Sequence, residues 1–496
     1  MPLLDESSLL RDCPPTVPVI IIGNGPSGIC LSYLLSGYAP YLDPAAEHPN
    51  PILYQKLQKA KHLPIIEQDL EYLCEGLEGR SGNPVAVLFD TLLHPNADLG
   101  FEIPSVLQWK LEKQHHIPHL VLGKGKPGGA WHAMEGSILT ISLGIWMELP
   151  GVNYRDITPE KRRNVTNDRA TPDELSSYYK NYVKIMGLQK NFVDNAYVTS
   201  IQKLHRGHVS FEKKIGLKLT PKTGDTHIPF SLFAENVVLA TGASDLPARL
   251  GVEGEDFPYV FHSVRDLGIA INHHENLGPA SDPVLVVGAG LTAADAVLCA
   301  YNNSIPVLHT FRKQTDDPSL IFKQLPKTIY PEYHKVYHMM CSQTYLAIHN
   351  ASTKLHQDYT SFPEHCVHSF QPDMHCILKG SNGILRAFKV SMVLVLIGTY
   401  PSLSFLKEHG RYLGLDPSKP ISCRHNPVDI NPYTFECSAE PGLLPWVPGW
   451  RQFVRFLKGG ALGIASCLAK RLKQWREGKL INYDTCVTNL LLRKKY

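Results

Sequence analysis

The chain has little of what marks a secreted, membrane-spanning or nucleic-acid-binding protein. Its 496 residues include only 11 cysteines, an odd number with no Cys-x-x-Cys pair. Scattered thiols of this kind exclude a disulfide framework and fit a reducing compartment. Met1 to Thr16 is mostly polar and carries prolines, so no secretory leader is expected. The apolar stretch from Val17 to Leu35 is broken by three glycines, Asn24 and Pro26, and no membrane span is expected from it. Neither sign of charge dominates, with 49 Lys and Arg against 46 Asp and Glu. Nucleic-acid binders concentrate many more cations on one face, so no nucleic-acid partner is expected. The clusters Lys161-Arg162-Arg163 and Arg493-Lys494-Lys495 read as solvated faces rather than binding patches. An intracellular protein is expected, so the sequons at Asn164, Asn302 and Asn350 carry little weight.

What is present is a repeated local pattern. A β-branched apolar strand, a tight glycine turn and a helix rich in small residues occur at Val17–Leu35 and again at Val284–Ala300. Short buried-strand signals lie between them at Val85–Phe89, Leu120–Leu122 and Asn236–Ala240, and a further one follows at Val390–Ile397. Strands alternating with helices imply right-handed βαβ units and parallel sheets buried on both faces. A helix is expected from Asp173 to Met186, where Leu175, Tyr178, Tyr179, Tyr182 and Val183 share a face behind the start signal Thr171-Pro172-Asp173-Glu174. No tandem repeat is present.

The chemistry sits in the turns. Gly23-Asn24-Gly25-Pro26-Ser27-Gly28 follows the first strand. Its first glycine makes the turn, its second lets backbone approach a pyrophosphate, and its third lets helix and strand pack closely. The helix start then offers free amides and a positive dipole end to phosphate. Gly288-Ala289-Gly290-Leu291-Thr292-Ala293 repeats the spacing, with Ala293 replacing the third glycine. The strand after it, Pro306–Phe311, ends in Arg312-Lys313. An acidic residue there would favour NAD, whereas this basic pair suits a 2′-phosphate and hence NADPH. Ala240-Thr241-Gly242 closes a buried strand between the two fingerprints. The fold class read from these features is α/β, with two Rossmann-like dinucleotide-binding domains, the second, of NADPH type, inserted into the first. The boundaries are 16–245 with 398–490 for the first unit, which the resemblance below makes an FAD domain, and 255–397 for the NADPH unit.

Gly128-Gly129-Ala130-Trp131 resembles the GGxW element of the flavin-containing monooxygenases. Ala240-Thr241-Gly242 is similar to their linker, and Val395 to Pro401 to the strand that returns to their FAD domain. From about Val17 to about Leu472 the chain more closely resembles the oxidative stress-induced growth inhibitor family. The runs IIGNGPSGICLSYLLSGY, DLEYLCEGLEGRSGNPVAVLFD, LPKTIYPEYHKV and FVRFLKGGAL carry that likeness. The resemblance implies FAD and NADPH as cofactors, and Gly23, Gly25, Gly28, Gly128, Gly129, Trp131, Thr241 and Gly242 on the FAD side. On the NADPH side it implies Gly288, Gly290, Ala293, Arg312 and Lys313. It further implies a monooxygenase-like oxidoreductase connected with restraint of growth, cell division and survival, in the cytoplasm or in a nuclear or cytoskeleton-associated pool.

Three departures set this chain apart from the monooxygenases. About one hundred residues separate Gly28 from Gly128. The resulting insertion, about 40–118, has a helix-like part at Ile65–Leu77 and the strand-like Val85–Phe89, and a protein partner through it is one expectation. The acidic ribose ligand is displaced: a second strand at His119–Leu122 ends in Gly123-Lys124, while Asp90 is a rival with suitable chemistry. Gly449-Trp450-Arg451-Gln452-Phe453 stands where the family shows Gly-Asp-Asn-Phe, which removes an acceptor worth on the order of 1 kcal/mol. No catalytic acid or base is assigned. Ser142 is at most a substitute for an absent asparagine, and His262-Ser263 lies one residue out of register with the linker signature. The histidine-rich segment 331–376, with His334 and His338 four residues apart, lacks closed-site spacing, so no metal is expected. Cys30 reads as a small buried hydrophobe and Trp131 as a packing residue beside the cofactor. A regulatory interaction protein that keeps the fold without turnover, and an NADPH oxidase or reductase without an organic substrate, remain as alternatives.

Overall fold

The structure is a computed structural model. It describes residues 16–134, 138–157, 168–204, 214–223, 226–227, 230–273, 277–345, 358–422, 425–446 and 454–476.

The first strand, β1 (Thr16–Ile22), is buried along Val17 and Val19 to Ile22 because neighbours cover both of its edges and both of its faces. It leads through the first glycine turn into α1 (Pro26–Leu35) and then β2 (Tyr38–Leu42). The insertion follows, with α2 (Pro51–Lys59), α3 (Leu70–Cys74) and α4 (Pro84–Leu93), and closes on β3 (Leu107–Leu111), antiparallel to β2. The chain re-enters the main sheet at β4 (His119–Leu122), parallel to β1 with Ile22 opposite Leu122. The helix α5 (Pro172–Ile185) carries a complete capping box between Thr171 and Glu174, as its start signal implies. After β5 (Phe192–Val193) come the meander strands β6 (Ala196–Leu204), β7 (Lys214–Thr223) and β8 (Phe230–Leu239).

β8 joins two kinds of sheet. Phe230 to Ala234 pairs antiparallel with β7, whereas Val237 to Leu239 lies parallel to the later β17 (Leu443–Pro445). Its other edge runs parallel to β1, so the order is β5-β4-β1-β8-β7-β6 with β17 also on β8. The second sheet is parallel in the order β9-β16-β10-β11-β12. It comprises β9 (Val260–Phe261), β10 (Val284–Val287), β11 (Val307–Phe311), β12 (Tyr359–Pro363) and β16 (Met392–Val395). Helices α6 (Val264–Asn272), α7 (Leu291–Asn302) and α8 (Pro331–Ser342) accompany it. An antiparallel sheet of β13 (His365–Phe370), β14 (His375–Gly380) and β15 (Leu385–Lys389) adds to this domain. The last helix, α9 (Gly459–Arg476), returns to α1 and α4. The α/β class with two Rossmann-like units, the second inserted in the first, is therefore the observed one.

The two crossings between the domains run side by side. Leu246–Pro247 and Thr399–Tyr400 form an antiparallel pair, and Ala248 N–H donates to Gly398 O at 2.9 Å. Arg169 from the first domain, 1% exposed, adds a second link. Its guanidinium donates to Thr140 O and to Glu332 Oε1, each at 2.5 Å, and lies 4.8 Å from the ring centre of Tyr330. Tyr330 Oη in turn donates to Ile141 O at 2.7 Å.

The insertion departs from its sequence reading. Val85–Phe89 is not a strand: it lies within α4, where Asn83 Oδ1 accepts from Ala86 N–H at 2.9 Å and Pro84 occupies the first turn. α4 is buried almost all round, with Val85, Ala86, Leu88, Phe89 and Leu92 at 1% exposure or less. A helix without a polar face shows no 3.6-residue period, so a short apolar run cannot be told from a strand by periodicity. Ile65–Leu77 is two pieces, a 3₁₀ turn at Ile65–Glu67 and α3, divided where the buried Gln68 carboxamide donates to Ala60 O and Leu63 O. Leu53, Leu57, Ile65, Leu70, Leu88 and Leu92 share one core with Ile21, Leu34 and Tyr182. The inward faces of the insertion are thus continuous with the first domain.

Candidate functional site

Each glycine turn sits at the carboxyl end of a central parallel strand, where ligands of open α/β sheets bind. At the first, Gly23 has φ +113°, and a Cβ on it would lie 2.1 Å from Ala240 O. A Cβ on Gly28 would lie 2.1 Å from Gly23 O, so only glycine closes the turn this tightly. Gly25, by contrast, is the N-cap of α1 without a side-chain cap, and nothing lies within 4 Å of its Cβ position. The backbone is crowded on the protein side and open on the other, and the amides of the first helical turn are left for a ligand.

The GGxW segment closes on this turn. Gly128 N–H donates to Asn24 O at 2.9 Å, and a Cβ on Gly129 would sit 3.0 Å from Gly25 Cα. Trp131 is half-buried and packs on the core containing α1 and α5. Ala240 N–H donates to Ile22 O at 2.8 Å and carries Thr241 to the turn. Thr241 Oγ1 is buried with no partner among the described residues, and Gly242 follows with φ +73° and open space at its Cβ. An orphaned hydroxyl beside an uncapped helix start fits a nucleotide, since buried polar atoms are otherwise satisfied.

The second turn repeats the arrangement. Gly288 has φ +135° and a Cβ position 2.3 Å from Leu396 O, Gly290 is an uncapped N-cap open to 4 Å, and Ala293 is fully buried. Gly288 N–H donates to Thr310 O at 3.0 Å, which puts Arg312 and Lys313 just past the end of β11, next to the turn. Both are exposed. Lys313 Nζ donates to the hydroxyl of Ser319, while the Arg312 guanidinium has no partner among the described residues. Sequence reading missed His309. It is fully buried, with Nε2–H donating to Gly288 O at 2.7 Å and Nδ1 accepting from Tyr359 Oη at 2.8 Å. Burial lowers its pKa to about 4, so the ring is neutral and props the turn from below. A histidine in an otherwise apolar strand was the signal for it.

Asp90, the rival ribose ligand, belongs elsewhere. It lies on α4, 7% exposed, and accepts from Arg455 Nε–H at 2.6 Å. Arg455 also donates to Asp98 at 2.5 Å and lies over the Trp146 ring. Beside it Lys458, 3% exposed, donates to Glu148 O at 2.8 Å and to His94 Nε2 at 3.1 Å. Burial lowers the proton affinity of Lys458 and of His94, which is held well below its ordinary value. The favoured alternative, β4 ending in Gly123-Lys124, is indeed β1's parallel neighbour, and Lys124 pairs with Asp245.

The stretch from Met147 to Val152, at the end of the Leu139–Pro150 segment, is tied to α5 by hydrogen bonds. Tyr179 donates to Met147 O (2.9 Å), Tyr182 to Pro150 O (2.7 Å) and Tyr178 to Val152 O (2.7 Å), all from one face of α5. Ser142 is buried there. His262 pairs with Glu255 at 3.2 Å and Ser263 caps α6. Burial raises the Cys30 thiol to about 12, so it stays protonated, as a packing residue does. Among the described residues no three His, Cys, Asp or Glu side chains converge as a metal site, and His334 Nε2 bonds Leu325 O. No described helix is long and apolar enough to cross a membrane. A hollow of about 260 Å³ lined by Tyr301, Lys335, His338 and Asp358 lies at the end of α7 and β12 away from Gly288. Gly449 to Phe453, His349, His356, Asn164, Asn350 and both basic clusters lie outside the described residues.

Two glycine-turn modules, one inserted in the other and joined by two crossings that pair side by side, define the class of two-domain flavoenzyme folds. The bacillithiol disulfide reductase of Bacillus cereus superposes with a TM-score of 0.57 at 16% identity, covering 92% of this chain and 99% of that one. The ornithine hydroxylase of Pseudomonas aeruginosa gives 0.55 at 12% identity, covering 92% and 100%. At such identities the likeness is one of fold. No protein-family model matches the chain. Over 496 residues it is 58% identical to oxidative stress-induced growth inhibitor 2 of Homo sapiens, covering 96% of this chain and 97% of the relative. It is 48% identical over 461 residues to oxidative stress-induced growth inhibitor 1 of Homo sapiens, covering 92% and 95%. The chain belongs to the oxidative stress-induced growth inhibitor family.

Proposed function

We propose that this chain is an FAD- and NADPH-binding, monooxygenase-like flavoprotein that acts inside the cell in restraint of growth, division or survival. The reading is carried by two uncapped helix starts, each facing open space across a glycine turn too tight for a side chain, the first beside the unpartnered Thr241 hydroxyl. Residues 16–245 with 398–490 form the FAD unit in this reading, and 255–397 the NADPH unit. Gly23, Gly25 and Gly28 receive the FAD diphosphate, with Gly128, Gly129, Trp131, Thr241 and Gly242 around it. Gly288, Gly290 and Ala293 receive NADPH, and Arg312 and Lys313 its 2′-phosphate. Flavin, when bound, supplies the redox chemistry, and the protein supplies orientation and exclusion of water. The 139–150 segment, tied to α5 at Met147 and Pro150, suits the second task, and no proton-transfer residue is assigned. The free cysteines among the described residues support a reducing, cytoplasmic setting.

The test is spectroscopy of the purified full-length protein, as isolated and after FAD addition, followed by NADPH. Wild type should show bound flavin that NADPH bleaches. Gly23→Val should abolish the flavin signal, and Arg312→Ala should raise the NADPH requirement about tenfold while leaving NADH unchanged, as loss of one charge-assisted contact implies. A colourless protein that ignores added FAD overturns the reading. A second reading, a regulatory interaction protein without turnover, draws on the outer face of the insertion, where Leu99 and Phe101 are 72% and 59% exposed. It requires growth restraint to survive Gly23→Val in cells.

A further inference from the structure

In a dinucleotide-binding βαβ unit the ribose hydroxyls are taken by an acidic side chain at the end of the strand beside the first. That strand is β4, and Leu122 O accepts from Gly23 N–H at 2.8 Å, which fixes the register at the turn. The next position, where the carboxylate belongs, is Gly123. A Cβ placed on Gly123 would lie 1.9 Å from Nδ2 and 2.2 Å from Cγ of Asn24. The Asn24 carboxamide therefore fills the volume that the first atoms of an acidic side chain would take.

Asn24 is not there by default. It is the second residue of the glycine fingerprint, 4% exposed, and is held at two points. Its backbone carbonyl accepts from Gly128 N–H, and its Nδ2 donates to Gly125 O at 2.7 Å. A carbonyl can only accept, so this bond fixes the amide nitrogen towards Gly125 and the amide oxygen away from it. Oδ1 has no partner among the described residues. The side chain as a whole is nearly buried, but its oxygen is not among the buried atoms left without a partner, so an oriented acceptor faces accessible space beside the turn and at the end of β4.

We infer that Asn24 and Gly123 are one exchanged pair, in which Asn24 Oδ1 accepts a hydrogen bond from a ribose hydroxyl of the adenosine half of FAD in place of the carboxylate missing at position 123. The inference rests on the FAD reading of the first turn. A neutral acceptor holds a hydroxyl less strongly than a carboxylate does, so flavin is bound by this chain more loosely and exchanges more freely.

Four full-length proteins test the exchange by titration with FAD, followed by flavin fluorescence, and with FMN, which has no adenosine. Asn24→Ala should raise the Kd for FAD about fivefold to twentyfold, the loss of one hydrogen bond, and leave FMN unaffected. Gly123→Glu alone should lose FAD, because its side chain meets Asn24. Asn24→Ala/Gly123→Glu should recover FAD to wild-type affinity or better, a coupling that independent sites do not show. Unfolding curves of all four identify a variant that has lost its fold. If Gly123→Glu does so, Asn24→Ala and Asn24→Asp decide alone, the latter keeping an acceptor and retaining FAD. Wild type that binds FAD while Asn24→Ala binds it equally overturns the exchange and leaves the FAD reading standing. Wild type that binds no FAD overturns both.

Discussion

Two buried histidines sit under the nucleotide modules, and both are neutral for the same reason. His119 on β4 uses Nδ1–H on Ile117 O at 2.7 Å and accepts from Ser32 Oγ at 2.8 Å. His309 uses both nitrogens beneath Gly288. Burial brings each from 6.5 to about 4. Because the folded value lies below the unfolded one, the stabilisation is complete above pH 6.5 and is lost as pH falls from there to about 4. Each ring contributes on the order of 3 kcal/mol across that window. Urea midpoints should therefore be flat between pH 8 and 7 and fall between pH 6.5 and 4, and His309→Gln, which keeps a donor for Gly288 O, should flatten part of that fall, the rest belonging to His119, His94 and His48. An unchanged slope in His309→Gln would show that another group governs acid sensitivity.

At the scale of elements, the readable parts of the sequence were those whose signals are local. The two strand-turn-helix units, the Thr171 cap and the parallel neighbour of β1 all follow from spacing within a dozen or so residues. α4 did not, because burial on every side erases the period that separates helix from strand, leaving only the Asn83-Pro84 start to speak for it. The place of Asp90, kept only as a rival to the strand ending in Gly123-Lys124, was not legible for a related reason: its partner Arg455 is 365 residues away, and no spacing rule reaches that far. His309 and the Asn24–Gly123 contact are products of the assembled sheet. The Asp90–Arg455 pair joins the insertion to the 3₁₀ turn Val454–Lys458 that leads into the last helix, so Asp90→Ala should cost about 3 kcal/mol in chemical denaturation, as breaking one side of a buried pair does. Asp90→Leu/Arg455→Leu should cost less than the sum of its two single changes. Additive losses would mean that the pair is not coupled.

For the whole molecule the deciding contact is Arg169. With Glu332 and Tyr330 of the second domain and Thr140 and Ile141 of the first, it binds the two domains together. Arg169→Ala should accelerate amide hydrogen exchange at 138–142 and 329–333 while leaving β1 and β10 protected. Exchange that stays at wild-type rates in those segments would mean the domains are held by other contacts.

The pair of crossing strands gives this a geometric sequel. A body fastened at one place can tilt in any direction, whereas one fastened at two can only swing about the line that joins them. The Leu246–Thr399 ladder is the first fastening and the guanidinium is the second. Arg265 adds a third tie by donating to His132 O at 3.2 Å, and Tyr330 keeps its bond to Ile141 O, so releasing Arg169 loosens the gap between Gly25 and Gly290 without freeing every direction.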